Sequence, residues 1–188
     1  ILQAQAAGLD GVLSAALSDL AAICLALGDT DGAWRVSQQV LARSRHRRDH
    51  FVAHALATVA CVAFVRGDLA QARASLLAFA EASRSRNWEW FGRYSVLLAL
   101  LASQEGRMEA AARLLGHAER QRSQWGDGDV LGVYARTRVR AAVTDALEPS
   151  VLRSLSELGG RLAPEEACAW AFGPSAGQMP SNPHDQGF

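Results

Sequence analysis

Apolar residues along this chain recur at intervals of three and four, the spacing of one face of an α-helix. In the clearest case, His50 to Val65 follows this pattern, Arg66-Gly67-Asp68 interrupts it, and a second helical pattern runs from Leu69 to Ser83. Glycine permits the positive φ that a tight corner needs, and an aspartate after it can cap the next helix. The pattern predicts two antiparallel helices joined by a short corner, and no strand-like alternation competes with it.

The corner recurs at a fixed interval along the chain. Steps of 39 residues relate three sets of positions: Gly28-Asp29, Gly67-Asp68 and Gly106-Arg107; the small residues Ala21, Ala60 and Ala99; and Ala33, Ala72 and Ala111. Repeated units of this kind are typical of helical solenoids, where each unit buries its apolar face against its neighbours. We therefore expect an all-α, right-handed superhelix of antiparallel helix hairpins, closed by a C-terminal helical cap.

The repeat sets the expected boundaries. One domain is predicted over residues 1–173, with repeats at about 10–48, 49–87 and 88–126 and a cap over 129–173. The predicted helices are roughly 10–26, 31–44, 49–65, 69–85, 88–104, 108–124 and 129–147. Two shorter helices should begin at Pro149 and Pro164, since proline suits a first helical turn. Residues 174–188 are rich in Pro, Gly, Ser and Asn and predict a flexible tail or linker.

Composition narrows the class of protein. With 188 residues, 49% hydrophobic and 20% charged, the chain is not composed like a disordered segment. Nineteen basic residues balance nineteen acidic ones, so no global field draws the protein to nucleic acid or to an anionic membrane. All the basic residues are arginine, which, with the abundant alanine, indicates a GC-rich bacterial genome.

Several sequence features predict a cytoplasmic location. No uninterrupted apolar run reaches the roughly 18 residues of a membrane span, and no signal peptide precedes the first helix. Cys24, Cys61 and Cys168 are widely spaced, which suits free thiols in a reducing compartment. The chain begins without Met inside a helical pattern, ILQAQA, which indicates a fragment of a longer protein.

The repeated unit resembles the tetratricopeptide repeat, because it combines a small residue, a Gly-Asp corner and a following alanine. The period of 39 residues exceeds the 34 or so of that repeat, the closing proline is missing, and Cys24, Ala63 and Ala102 stand where its first helix usually carries an aromatic. The units are similar to longer-helix variants found in large bacterial signalling proteins.

The C-terminal third carries a second resemblance. AARLLGHAE at 111–119 and the closing EEACAWA at 165–171 resemble the tail of helical regions in bacterial signal-transduction ATPases, which include LuxR-type and antibiotic-regulatory transcription factors and some fused adenylate or guanylate cyclases. This resemblance implies a sensor or scaffold arm next to a nucleotide-binding domain of the same chain. Such an arm binds a protein, a peptide or a small inducer and passes that event to an output domain.

No catalytic, cofactor or metal residues are predicted. Phosphate-loop, dinucleotide-binding, zinc-protease and nucleophile-elbow motifs are missing from the sequence. His46, His50 and His54 step by four residues, with Asp49 nearby, and two such histidines on one helix face can hold zinc. A structural zinc site needs four ligands, so a metal-dependent hydrolase is kept only as a rival hypothesis.

Two further clusters have competing interpretations. The basic run ARSRHRRDH at 42–50 can contact phosphates, or it can favour a helix C-terminus, where cations are stabilised. Arg84 and Arg86 repeat Arg45 and Arg47 one period later, which favours the helix-end role over nucleic-acid binding. In NWEWFGRY at 87–94, helical geometry allows only one of Trp88 and Trp90 to point inward, so the other becomes a surface candidate.

The repeat register also predicts a concave groove lined by the first helix of each hairpin. The floor is mostly apolar, which suits an amphipathic helix or an apolar ligand. The candidate binding residues are Ser18, His54, Phe64, Arg93, Leu100 and Gln104. We expect His54 and Arg93, on successive inner helices, to orient the bound partner, unless further helices of the same protein cover the groove.

These observations favour a non-catalytic module of a larger bacterial transcriptional regulator that binds a protein or a ligand. Alternatives are the regulatory or oligomerising arm of a nucleotide cyclase, a metal-binding enzyme domain, a nucleic-acid-binding solenoid, and an oligomerising arm without a ligand.

Overall fold

A computed structural model describes residues 2–44, 50–88, 90–125 and 130–173, and the regular structure of these residues is entirely helical. The prediction of an all-α fold is confirmed over this part of the chain. In chain order the helices are α1 (Leu2–Ala26), α2 (Thr30–Ser44), α3 (His50–Arg66), α4 (Leu69–Arg84), α5 (Phe91–Tyr94), α6 (Val96–Gln104), α7 (Met108–Trp125), α8 (Val130–Ala146), α9 (Pro149–Gly159) and α10 (Pro164–Phe172).

Three corners, after α1, α3 and α6, share one backbone geometry. Their glycines have left-handed φ angles: Gly28 at 80°, Gly67 at 75° and Gly106 at 76°. In each corner the next residue donates its N–H to the carbonyl five residues earlier, at 2.9 Å, and the glycine N–H bonds the carbonyl three residues earlier, at 3.1 Å. This is the Schellman pattern, which satisfies carbonyls at a helix C-terminus and favours glycine.

The first four helices pack as neighbours along the chain. α1 pairs with α2 and α3 pairs with α4, while α3 also packs against α1 and α2. Small residues let the helices approach closely: Ala21, Ala60, Ala99, Ala33, Ala72 and Ala111 are all fully buried. The core continues through Leu76 and Phe79 of α4 into α5, α6 and α7, where the largest buried side chains lie.

The third unit departs from the predicted helix over 88–104. The segment begins as turns, with Asn87 and Trp88 at φ angles of 53° and 63°, and becomes helical only at Phe91. A second interruption at Ser95 separates α5 from α6. This φ region is unfavourable for tryptophan. The Trp88 ring packs edge-on against the nearby Phe91 at 4.9 Å, and a tertiary contact is made by its Nε1, which donates to Glu165 at 2.6 Å.

The C-terminal helices are built around α7. α8 packs against α6 and α7, α9 lies along α7, and α10 returns to contact α7 and α6. The contact between α7 and α9 depends on glycine, because a Cβ at Gly159 would lie 1.8 Å from the carbonyl oxygen of Arg113. Pro149 and Pro164 begin α9 and α10, where their missing N–H costs no hydrogen bond. The predicted tail at 174–188 lies outside the described residues.

Arg107, the residue after the third corner glycine, anchors α10. Its Nη1 donates to the carbonyl of Trp170 at 2.7 Å, its Nη2 donates to the carbonyl of Ala171, and its guanidinium pairs with Glu105. Glu105 also pairs with Arg73 of α4, which donates to the carbonyl of Phe172 at 3.1 Å. Two arginines therefore satisfy the last carbonyls of α10, where positive charge is stabilising.

A buried histidine holds the loop before α10. His117 of α7 is 1% exposed, and its Nδ1 donates to the carbonyl of Leu162 at 3.1 Å. Burial lowers the pKa of His117, although the hydrogen bond to Leu162 opposes that change. His117 is therefore neutral inside the core at neutral pH.

Candidate functional site

The six groove candidates differ in their access to solvent. Ser18 is 1% exposed and donates its hydroxyl to the carbonyl of Ser14 at 3.0 Å. Leu100 is also 1% exposed, within the core of α6. Phe64 is half-buried against the core, and Gln104 is exposed at the end of α6. Ser18 and Leu100 thus present no surface to a ligand in this structure.

His54 and Arg93 meet on one aromatic ring. The half-buried His54 of α3 stacks on Tyr94 of α5, with ring centroids 5.5 Å apart and planes 23° apart. The guanidinium carbon of Arg93 lies 5.7 Å from the centroid of the same Tyr94 ring and 5.8 Å from that of Trp90. We call His54, Arg93, Tyr94 and Trp90 the His54–Arg93 surface.

Packing behind this surface fixes its geometry. Tyr94 is 1% exposed and contacts Phe79 edge-on at 6.2 Å, and Phe79 stacks on Phe91 at 5.8 Å. Such aromatic contacts restrict rotation of the Tyr94 ring. An arginine beside aromatic rings gains cation–π stabilisation. A guanidinium is also a planar group whose shape matches carboxylate and phosphate groups.

α8 brings a second tyrosine–arginine pair close to α3. Arg138 lies 4.7 Å from the ring centroid of Tyr134. Burial raises the pKa of Tyr134; Arg138 acts in the opposite direction and the neighbouring Cys61 thiol adds to the increase. Sequence reasoning treated α8 as part of the cap and missed both residues. The sequence signal that α8 packs against other helices was the four-residue spacing of its apolar residues Leu131, Ala135, Val139 and Val143, all of which are buried.

The histidines considered as metal ligands are described only in part by the structure. His46 and Asp49 lie outside the described residues, as does the side chain of His50. In the segments that are described, no cluster of three or more His, Cys, Asp or Glu is placed to hold a metal ion. Cys61 and Cys168 are buried free thiols, and burial raises the pKa of Cys168 to about 12, which keeps it protonated.

Where the structure describes them, residues of the basic and aromatic clusters lie at a helix end or pack against the core. Arg45, Arg47 and Arg48 lie outside the described residues, while Arg84 lies in the last turn of α4, 3.6 Å from Glu81. Trp88 and Trp90 are both half-buried against the core. The expectation that only one would point inward does not hold, because the segment is a turn and not a helix.

Within the described helices, none is long and apolar enough to cross a membrane. Comparisons with protein-family models, with curated proteins and with solved structures found no match for this chain.

Proposed function

We propose that this chain is a non-catalytic helical repeat module that recognises a protein, a peptide or a small inducer. The proposed architecture is a right-handed superhelix of helix hairpins, with a 39-residue unit and a C-terminal cap. Support comes from the three corners, whose glycines, hydrogen bonds and following buried alanines agree at this interval. Stacked hairpins form extended surfaces suited to recognition.

The observation that carries the binding proposal is the meeting of His54 and Arg93 on the Tyr94 ring. These residues lie on different helices, and both keep part of their side chains accessible. Together they place a half-buried imidazole and a half-buried guanidinium over the buried Tyr94 ring, with the half-buried Trp90 ring beside the guanidinium. This combination suits a ligand or partner segment with an apolar body and an anionic group.

In the wider proposal, the module belongs to a larger bacterial transcriptional regulator. The resemblance of residues 111–119 and 165–171 to the tails of signal-transduction ATPases supports this context. An adjacent nucleotide-binding domain of the same chain would then receive the binding event. The cyclase-linked arm remains the alternative, since the resemblance extends to those proteins as well.

Native mass spectrometry of the protein, purified from a bacterial host without chelators, tests the proposal. We expect a co-purifying small molecule or peptide, lost from both His54→Ala and Arg93→Ala and retained by Arg153→Ala, which removes an exposed arginine of α9. If an identified ligand binds both variants as tightly as the parent, the assignment of this surface is wrong. Stoichiometric metal in the purified protein would favour the enzyme alternative.

A further inference from the structure

α4 ends in a fourth corner, in which Asn87 stands where the other corners have glycine. Its φ angle is 53°, and its N–H donates to the carbonyl three residues earlier at 3.1 Å. Trp88 donates its N–H to the carbonyl five residues earlier at 2.8 Å. These are the Schellman hydrogen bonds of the other corners, and asparagine follows glycine as the residue that accepts a left-handed φ there. The corner itself therefore accounts for the conformation of Asn87.

Trp88 also has a left-handed φ, at 63°, and here the fourth corner differs from the others. Elsewhere in the described chain the left-handed φ angles belong to glycines, so the residue after each corner glycine has an ordinary φ. Asp68, for example, is at −85°. The same hydrogen bonds thus form without a left-handed residue at this position. A left-handed tryptophan persists only when contacts from the rest of the fold favour it.

The start of the next helix differs as well. α2, α4 and α7 each begin two residues after the corner glycine, whereas α5 begins at Phe91, four residues after Asn87. An ordinary φ at Trp88 would let the helix begin earlier, as it does after the other corners and as the sequence pattern predicts. The two φ regions of Trp88 therefore define two starts for the segment that carries Arg93 and Tyr94.

Trp88 links α10 to the aromatic cluster behind the His54–Arg93 surface. Its Nε1 donates to the carboxylate of Glu165, in the first turn of α10, at 2.6 Å. Its ring meets Phe91 edge-on at 4.9 Å, and Phe91 stacks on Phe79 at 5.8 Å. Phe79 in turn contacts Tyr94 edge-on at 6.2 Å. The hydrogen bond to Glu165 is thus a contact from outside the corner, made by the residue whose conformation the corner does not explain.

A second contact joins Phe91 to the segment before α10. The Phe91 ring meets the ring of His117 edge-on at 5.8 Å, and Nδ1 of His117 donates to the carbonyl of Leu162 at 3.1 Å. Both contacts reach the first residue of α5 from neighbouring parts of the C-terminal region. Packed side chains of this kind can carry coupling between distant sites.

We propose that docking of α10 favours the left-handed Trp88 and thereby sets the positions of Arg93 and Tyr94 in the His54–Arg93 surface. By linkage, a ligand that binds this surface in its present geometry strengthens the docking of α10. The two states are the present start of α5 and the earlier start that an ordinary φ at Trp88 allows. The proposal rests on the proposed function for its ligand, and it makes α10 the element that responds to binding.

NMR spectroscopy of the unliganded 188-residue chain tests this coupling without a ligand. Glu165→Ala removes the acceptor for the Trp88 indole, and Trp88→Phe removes the donor but keeps an aromatic ring. We expect each change to displace the ring signals of His54 and the side-chain N–H signals of Arg93 beyond their linewidths. The double variant should displace them no further than the larger single effect, because both changes break the same contact.

Two variants serve as controls. Glu165→Gln keeps an oxygen acceptor and should retain the parent spectrum, as should Glu157→Ala, which removes an exposed carboxylate of α9. Shifts that stop short of His54, equal shifts in Glu157→Ala, or additive shifts in the double variant would each overturn the coupling. A displaced His54 signal in a protein for which no ligand is found would support the coupling and count against ligand recognition instead.

Amide hydrogen exchange gives a second measurement, because it reports local opening of each helix. In Trp88→Phe the amides of α10 should exchange several-fold faster than in the parent, while those of α2 should keep their rates. Unchanged exchange in α10 would contradict the proposal.

Discussion

The second and third corners bend the chain through the same hydrogen bonds, yet the residue after the glycine has a different role in each. At Gly67-Asp68, the aspartate accepts a hydrogen bond from the N–H of Gln71 at 3.0 Å and caps α4. At Gly106-Arg107, the arginine donates to the last carbonyls of α10. Because both corners keep the same bend, the residue after the glycine can either cap the next helix or contact another part of the fold.

The first corner resembles the second, because the aspartate after its glycine also caps the next helix through a contact within three residues. Asp29 accepts a hydrogen bond from the N–H of Gly32 at 2.8 Å, as Asp68 does from Gln71. Both contacts lie within three residues and need nothing from the rest of the fold. Arg107 instead reaches residues 63 and 64 positions later. The third corner therefore stabilises tertiary structure, whereas the first two stabilise their own helices.

The largest effect should come from making the third corner like the second. Arg107→Asp would supply a cap for α7, worth about 1 kcal/mol. It would also remove the arginine donor from the carbonyls of Trp170 and Ala171 and place a second carboxylate beside Glu105, whose side chain is 18% exposed. Because breaking a mostly buried ion pair is costly, we expect a net loss of about 3 kcal/mol in the free energy of unfolding, measured by urea titration.

Arg153→Asp on the exposed face of α9 is the control for this change and should cost less than about 0.5 kcal/mol. An Arg107→Asp protein as stable as the parent would show that the contacts to α10 contribute nothing.

An intermediate loss of stability should follow from replacing the glycine that both corners share. A Cβ at Gly67 or at Gly106 meets nothing within 4 Å, so replacement by alanine costs only the strain of a left-handed φ. We expect Gly67→Ala and Gly106→Ala to lose the same 1–2 kcal/mol or so in urea titrations. Gly160→Ala, at an ordinary φ and without a close contact, should be nearly neutral. Unequal losses at the two corners would break their equivalence.

The smallest effect should be a pH dependence confined to the C-terminal region. The unfolded chain protonates His117 below about pH 6.5. The folded pKa is lower, so in the interval between them the unfolded state binds more protons, and stability falls as the pH decreases. Urea midpoints at about pH 7.5 and about pH 5 should differ less in His117→Asn, which removes the titrating group. An unchanged difference would assign the acid sensitivity to other groups.

Much of the fold was predictable because its signals are local. The Gly-Asp corners, the caps and the proline starts of α9 and α10 depend on residues a few positions apart. The start of α5 was not predictable in this way. Trp88 adopts a left-handed φ that its own preference opposes, and its Nε1 donates to Glu165, 77 positions later in the sequence.

The candidate site shows the same division. The repeat register placed His54 and Arg93 on successive inner helices, and the structure brings them onto one ring. That ring, Tyr94, was not among the predicted groove residues, and neither was Tyr134 of α8. Side chains that meet across helices leave no spacing rule in the sequence, because their separation along the chain depends on how the helices dock.

By itself, the sequence determined an all-α chain with left-handed glycine corners, since backbone hydrogen bonds and glycine conformations are settled within a few residues. Tertiary structure decided which side chains have access to solvent. It buried Ser18 and Leu100, kept His54 and Arg93 accessible, and gave Arg107 a partner in α10. The physical reason is that burial depends on the neighbouring helices, and their positions result from the packing of the whole chain.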